Sequence, residues 1–127
     1  MSLSGVTYEN GHFVTVGQFG TILTSSDGTS WTERTSGTSE YLSDVTYGNG
    51  LFVTVGSDGT ILTSSDGTSW TSSNSGTYLY LRGVTYGNGL FVTVGMGIIL
   101  TSSNGTSWMT QRTYRTSYFL NGVTYSQ

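Results

Sequence analysis

The stretch VTYGNGLFVTVGSDGTILTSSDGTSWT, residues 45–71, decides the fold. The same 27 positions begin at Val6 and differ at four places: Glu9 against Gly48, His12 against Leu51, Gln18 against Ser57 and Phe19 against Asp58. A third copy begins at Val84, and a Val-Thr-Tyr triplet opens a fourth at Val123, with steps of 39 residues throughout. Trp31, Trp70 and Trp108 step by 39 and 38, because Gly95-Met96-Gly97 is one residue shorter than Gly56-Ser57-Asp58-Gly59. A fixed period of this size marks an architecture whose units bury their faces on one another.

Within a copy the signals are those of strands. The second copy predicts strands over 42–47, 51–55 and 60–64 and a fourth from Trp70, separated by turns at 48–50, 56–59 and Asp66-Gly67. Asn49-Gly50 and Asp66-Gly67 are hairpin-turn dipeptides, since Asn, Asp and Gly tolerate positive φ. Phe, Val, Ile, Thr, Tyr and Trp fill the segments between and suit a pleated, half-buried backbone. Helix has no support: Ala and Lys are absent, Gly recurs every few residues, and no 3.6-residue apolar period survives.

Working outward, the chain has 127 residues, 4 Lys+Arg (all Arg) against 7 Asp+Glu, and a net charge of -3. Charged residues are only 9%, and Ser and Thr make up about a third of the chain. A basic stripe for nucleic acid is excluded, because phosphate neutralisation needs clustered Lys and Arg. With no Cys, disulfides, thiolate metal sites and cysteine nucleophiles are excluded. No apolar run reaches the roughly 20 residues that span a bilayer, and no signal-peptide pattern is read before Gly5. The Lys-free, hydroxyl-rich, mildly acidic composition is compatible with an extracellular setting, but nothing addresses the chain there and its location is left unassigned.

Residues Ser25-Ser26-Asp27-Gly28-Thr29-Ser30-Trp31, repeated at 64–70 and 102–108, resemble the Asp-box of bacterial-neuraminidase-type (BNR) repeats. The preceding Val-Thr-Tyr-Gly-Asn-Gly-Leu-Phe-Val-Thr-Val-Gly pattern resembles bacterial propellers related to photosystem II assembly factors. The resemblance covers essentially the whole chain. It implies four-stranded β-propeller blades with the box as the turn between the third and fourth strands. Two departures stand out: Asp-to-Trp is one residue shorter than in the usual box, and Asn104 replaces the Asp in the third copy. Asp27, Trp31, Asp66, Trp70, Asn104 and Trp108 are read as structural. The short acidic or amide side chain accepts turn N–H groups, and Trp packs across the blade. One carboxylate per turn falls short of calcium's several oxygen ligands, so no metal or cofactor is expected.

The expected fold is therefore all-β, with blades of four antiparallel strands at about 3–41, 42–80 and 81–119 and an extra strand at 120–125. Propellers close with roughly four to eight blades, so three leave two apolar faces exposed. The expectation is self-association, most simply a homodimer with a six-bladed ring; a fragment of a longer array is the other possibility. The extra strand duplicates the first, so one copy is expected to pair with a neighbouring chain. A β-trefoil, also about 40 residues per repeat, is the alternative fold.

Sialidase-type hydrolysis needs an arginine cluster, a Tyr nucleophile with a Glu partner, and an acid/base Asp. No copy supplies that set, and Glu33 and Glu40 occur only in the first. His12, the only His, replaces Leu51 and Leu90 beside a turn and is read as an exposed substitution. The copies differ chiefly at 18–19, 57–58 and Met96 and in the segments 33–40, 72–78 and 109–118. If these loops share one propeller face, that face carries Phe19, Tyr78, Tyr114, Tyr118, Arg34, Arg112 and Arg115. Aromatic rings and Arg among hydroxyls suit a sugar or a protein surface. Tyr41, Tyr80 and Phe119 recur one repeat apart and are assigned to packing. The reading is a non-catalytic, self-associating binding or assembly scaffold. A carbohydrate-binding lectin is the alternative, and a sialidase-like glycosidase comes last.

Overall fold

The structure, a computed structural model, describes residues 2–113 and Val123. Each copy folds into one antiparallel sheet with its strands in sequence order. Blade 1 holds β1 (Leu3–Glu9), β2 (His12–Gly17), β3 (Ile22–Ser25) and β4 (Thr32–Arg34). Blade 2 holds β5 (Leu42–Gly48), β6 (Leu51–Gly56), β7 (Ile61–Ser64) and β8 (Thr71–Ser73). Blade 3 holds β9 (Leu81–Gly87), β10 (Leu90–Gly95), β11 (Ile98–Ser102) and β12 (Met109–Thr113). Among the described residues every strand pairs only within its own repeat, which removes the β-trefoil alternative. The proposed extra strand at 120–125 lies, apart from Val123, outside the described residues.

The first two strands of each blade meet at an Asn-Gly turn. Both residues of Asn49-Gly50 have positive φ (49° and 77°), as do those of Asn10-Gly11 and Asn88-Gly89. Such turns match the right-handed twist of the strands they join. Between second and third strands the chain makes a short 3-10 turn, Gln18–Gly20 or Ser57–Gly59. The third strand accordingly starts at Ile22 or Ile61, one residue later than the pattern predicts. The shortened third copy omits this turn, and its outermost strand runs five residues against three in the others.

The first strands lie side by side and the fourth strands lie farthest out. The ladder slips between Leu42 and Asp44. Such a bulge re-aims a side chain. Ser43, the extra residue, donates its hydroxyl to the Leu81 carbonyl of the next blade, and Ser4 donates likewise to Leu42 at 2.5 Å. The carbonyls of Gly5, Asp44 and Gly83 accept the Thr15, Thr54 and Thr93 hydroxyls at 2.7–2.8 Å, which explains a buried Thr on every second strand.

The core lies between blades. Val14, Val16 and Ile22 on the leading face of blade 1 pack against Leu42, Val45, Phe52 and Leu62 on the trailing face of blade 2. Val53, Val55 and Ile61 on the leading face of blade 2 meet Leu81, Val84, Phe91 and Leu100 of blade 3. Each trailing face carries an aromatic triplet: Tyr8-Phe13-Trp31, Tyr47-Phe52-Trp70 and Tyr86-Phe91-Trp108. Identical residues therefore have very different environments. Val45 and Val84 are 5% and 4% exposed, whereas Val6, on the uncovered face of blade 1, is 63% exposed.

Candidate functional site

At one end of the blades, the third and fourth strands are joined by the box turn. The Asp27 carboxylate oxygen Oδ1 accepts the Thr29 and Ser30 N–H groups at 2.9 and 3.0 Å, and Ser25 Oγ accepts from Gly28 N–H at 2.7 Å. Asp66 repeats this with Thr68 and Ser69, and the amide oxygen of Asn104 with Thr106 and Ser107. The Trp70 and Trp108 indoles each donate to the box glycine carbonyl at 2.9 Å. Oδ1 of Asp27, Asp66 and Asn104 and Oγ of Ser25, Ser64 and Ser102 are thus all engaged by N–H groups of their own turns.

Those donated hydrogen bonds hold the Asp27 and Asp66 carboxyls well below the usual carboxylate range. In an unfolded chain they titrate near about 3.9. Their stabilisation is therefore complete above that range and is lost as pH falls through it and lower. The double variant Asp27→Asn/Asp66→Asn, which copies the geometry of Asn104, is expected to have a lower urea midpoint at neutral pH and to lose most of the decline below pH about 4. An unchanged acid decline in the variant would contradict this assignment.

At the opposite end lie the turns between second and third strands and the segments linking blades. Phe19, Gly20, Glu33, Arg34 and residues 35–39 line an open cleft of about 620 Å³ on blade 1. Phe19 is 72% exposed and holds a left-handed backbone (φ 60°), uncommon for a bulky residue. Arg34 is half-buried and donates through Nε to Thr24 Oγ1 at 2.9 Å. A second cleft, of about 450 Å³, spans blades 1 and 2, with Ser36–Thr38 on one wall and Asp58, Gly59, residues 72–75, Thr77 and Tyr78 on the other. Phe19 and Arg34 thus share a cleft, and Tyr78, 85% exposed, stands in another. Arg112 sits apart on β12, opposite Ile99. Tyr114, Arg115, Tyr118 and Phe119 lie outside the described residues. Glu33, set aside in the search for a catalytic set, joins Arg34 in the blade 1 cleft.

Asp44 is the functional-looking residue that the repeat comparison misses. It stands on β5 where the other copies have Gly5 and Gly83. Its two oxygens accept Val45 N–H at 2.9 Å and Val84 N–H of blade 3 at 3.0 Å. Burial pushes this carboxyl up despite both bonds. Glu40 accepts the Ser57 hydroxyl at 2.8 Å and steadies the turn of blade 2. Tyr41 and Tyr80 pack edge to face at 6.0 Å, with the Arg82 guanidinium 4.9 Å above the Tyr80 ring. His12 is half-buried at the start of β2, more enclosed than its turn-side position suggests. Among the described residues no three His, Cys, Asp or Glu side chains gather as a metal would need, and no helix is long and apolar enough to cross a membrane.

Three four-stranded antiparallel sheets fanned about their first strands, with cores between them, are β-propeller blades. Two solved structures share this architecture. The chain matches YCF48 from Cyanidioschyzon merolae with a TM-score of 0.69 at 23% identity, covering 85% of this chain and 36% of that one. It matches YCF48 bound to D1 peptide with a TM-score of 0.72 at 21% identity, covering 86% and 40%. The chain therefore spans less than half the length of either. No family model and no curated protein matches it.

Proposed function

We propose that this chain is a non-catalytic propeller scaffold that completes its ring by self-association and binds an extended peptide or protein segment on its loop face. The observation that carries the reading is the loop face itself. Strongly exposed Phe19 and Tyr78 stand over open, hydroxyl-lined clefts, while the rest of the repeat is given over to packing. Exposed aromatic anchors with nearby polar groups are the usual elements of a protein-recognition surface. A solved structure of similar fold is bound to a peptide, which supports the same use here.

The exposed Leu3, Val6, Tyr8 and Trp31 on the trailing face of blade 1 support the self-association part of this reading, and two chains make the simplest ring, of six blades. A carbohydrate-binding reading is kept as second, because Thr35, Ser36, Thr38 and Ser39 line the cleft beside the Phe19 ring. The test is retention of a random 12-residue peptide library and, in parallel, of a glycan array on the immobilised chain. Peptide retention weakened at least tenfold by Phe19→Ala or Tyr78→Ala is expected. Glycan retention lost on the same substitutions, without peptide binding, establishes the second reading. No loss from either variant overturns both.

A further inference from the structure

We propose that a pocket on the leading face of blade 1, holding His12 and Arg34 among hydroxyl groups, binds a phosphate monoester. The strand register places its parts. Side chains two apart on a strand, or directly opposite across a ladder, share a face. His12 therefore shares a face with Val14, Val14 stands opposite Thr24, and Thr24 stands opposite Thr32, with Arg34 two residues further on. His12, Thr24, Thr32 and Arg34, with Ser26 and Ser30 of the box turn, line an open pocket of about 250 Å³. Arg34 also borders the blade 1 loop cleft, but the other five do not. The site is independent of the peptide-binding reading above.

Two of the chain's five basic side chains meet here, and both are peculiar to this copy. The corresponding positions carry Leu51 and Ser73 in blade 2, and Leu90 and Gln111 in blade 3. Leu51 packs into the junction with blade 3, where a Cβ on Gly105 would meet its Cδ2 at 2.6 Å. His12 does not repeat this: the atoms nearest a Cβ on Gly67 belong to Val14 and Phe52, at 3.5–3.9 Å. The imidazole thus turns from the apolar seam to the polar pocket. Arg34 is anchored there by its Nε, which donates to Oγ1 of the buried Thr24 at 2.9 Å. Gln111 makes the neutral counterpart of that bond to Thr101 at 2.8 Å. What blade 1 adds is positive charge, in a chain whose net charge is -3.

A guanidinium fork, an imidazole N–H and several hydroxyls are donors matched to the oxygens of a phosphoryl group. Donors spread over three strands and a turn suit a tetrahedral group better than a planar carboxylate. Among the described residues no carboxylate lines the pocket. Glu9 stands opposite His12 across the β1–β2 ladder and is exposed. Glu33 alternates to the other face of β4, and Asp27 Oδ1 is engaged in its own turn. The openness of the pocket leaves room for the organic substituent of a monoester.

Calorimetric titration with O-phosphoserine, inorganic phosphate and acetate at matched pH and ionic strength tests this, joined by NMR of the single imidazole in the chain. O-phosphoserine is expected to bind one per chain and more tightly than inorganic phosphate, with acetate weakest. His12→Leu and Arg34→Ser install the residues that blade 2 carries at the same places, so both are expected to keep the wild-type circular dichroism. Each is expected to weaken O-phosphoserine binding about tenfold, the effect of losing one charge-assisted contact. The His12 Hε1 resonance is expected to move saturably with O-phosphoserine in the wild type and hardly at all in Arg34→Ser. Phe19→Ala is expected to leave this binding intact. Binding that survives both His12→Leu and Arg34→Ser, or a His12 signal unmoved by O-phosphoserine, overturns the proposal. Binding lost in Phe19→Ala moves the anion to the loop cleft and likewise overturns it. Acetate binding as tight as phosphate overturns the tetrahedral ligand, and inorganic phosphate binding as tight as O-phosphoserine overturns the monoester in favour of free phosphate.

Discussion

Replacing Phe52 with Ala is expected to cost about 3–5 kcal/mol of folding free energy, the range for deleting a fully buried aromatic ring. The ring is wholly buried between blades, 4.7 Å from the Tyr47 ring and 6.4 Å from Trp70, against the valines of blade 1. Domains of this size are stable by only about 5–15 kcal/mol, so this one side chain carries a large share, and Tm falls by roughly 10–20 °C. Phe91→Ala should match it, since its ring is equally buried between blades 2 and 3. Phe13 belongs to the same triplet on the unpaired face and is only half-buried. Phe13→Ala is therefore expected to cost about half as much in the dissociated chain. In an associated chain its cost approaches that of Phe52→Ala as concentration rises, because ligation stabilises only the folded form. Urea midpoints at two protein concentrations measure this. A Phe52→Ala cost below about 1 kcal/mol would mean that the inter-blade core is not what holds the chain together.

That comparison also shows what the sequence discloses and where it stops. The 39-residue step, the Asn-Gly turns and the strand composition were enough to read four-stranded blades, because each is a local preference repeated in register. Val6, Val45 and Val84 carry the same letter in the same motif, yet one lies on open surface and two in core. Their difference is a property of position in the array. Asp44 was illegible for another reason. A lone carboxylate in a polar chain reads as surface, and only the bulge at Ser43 and the approach of Val84 enclose it. Phe19 and Arg34 line one cleft on blade 1. Their separation from Tyr78 into a different cleft needed the path of the linker at 35–39, which no propensity encodes.

Gly59→Ala is the second substitution with a large expected effect, and it tests how the linker from blade 2 to blade 3, residues 74–80, is held. Gly59 has φ 66°, and a Cβ there would lie 1.9 Å from the Thr77 carbonyl oxygen and 2.9 Å from Ser75 Oγ. Its own N–H donates to the Leu79 carbonyl at 3.0 Å, and Ser75 Oγ donates to the Thr77 carbonyl. The linker is thus laid directly over the glycine, and the obstructing atoms are backbone, which cannot rotate away. The left-handed conformation costs an L-residue about 1–2 kcal/mol, and forced overpacking typically adds about 1–3 kcal/mol, so a loss of about 3 kcal/mol is expected. Gly50→Ala is the control: its φ of 77° is just as left-handed, but nothing lies within 4 Å, and only the conformational part remains. The difference between the two urea midpoints isolates the steric contribution. Because the linker leads directly into Leu81 and carries Tyr78, Gly59→Ala should also disturb the blade 2–blade 3 core and the second cleft together. Equal costs for the two variants would show that the linker yields freely, and with it the walls that the loop face needs to grip a ligand.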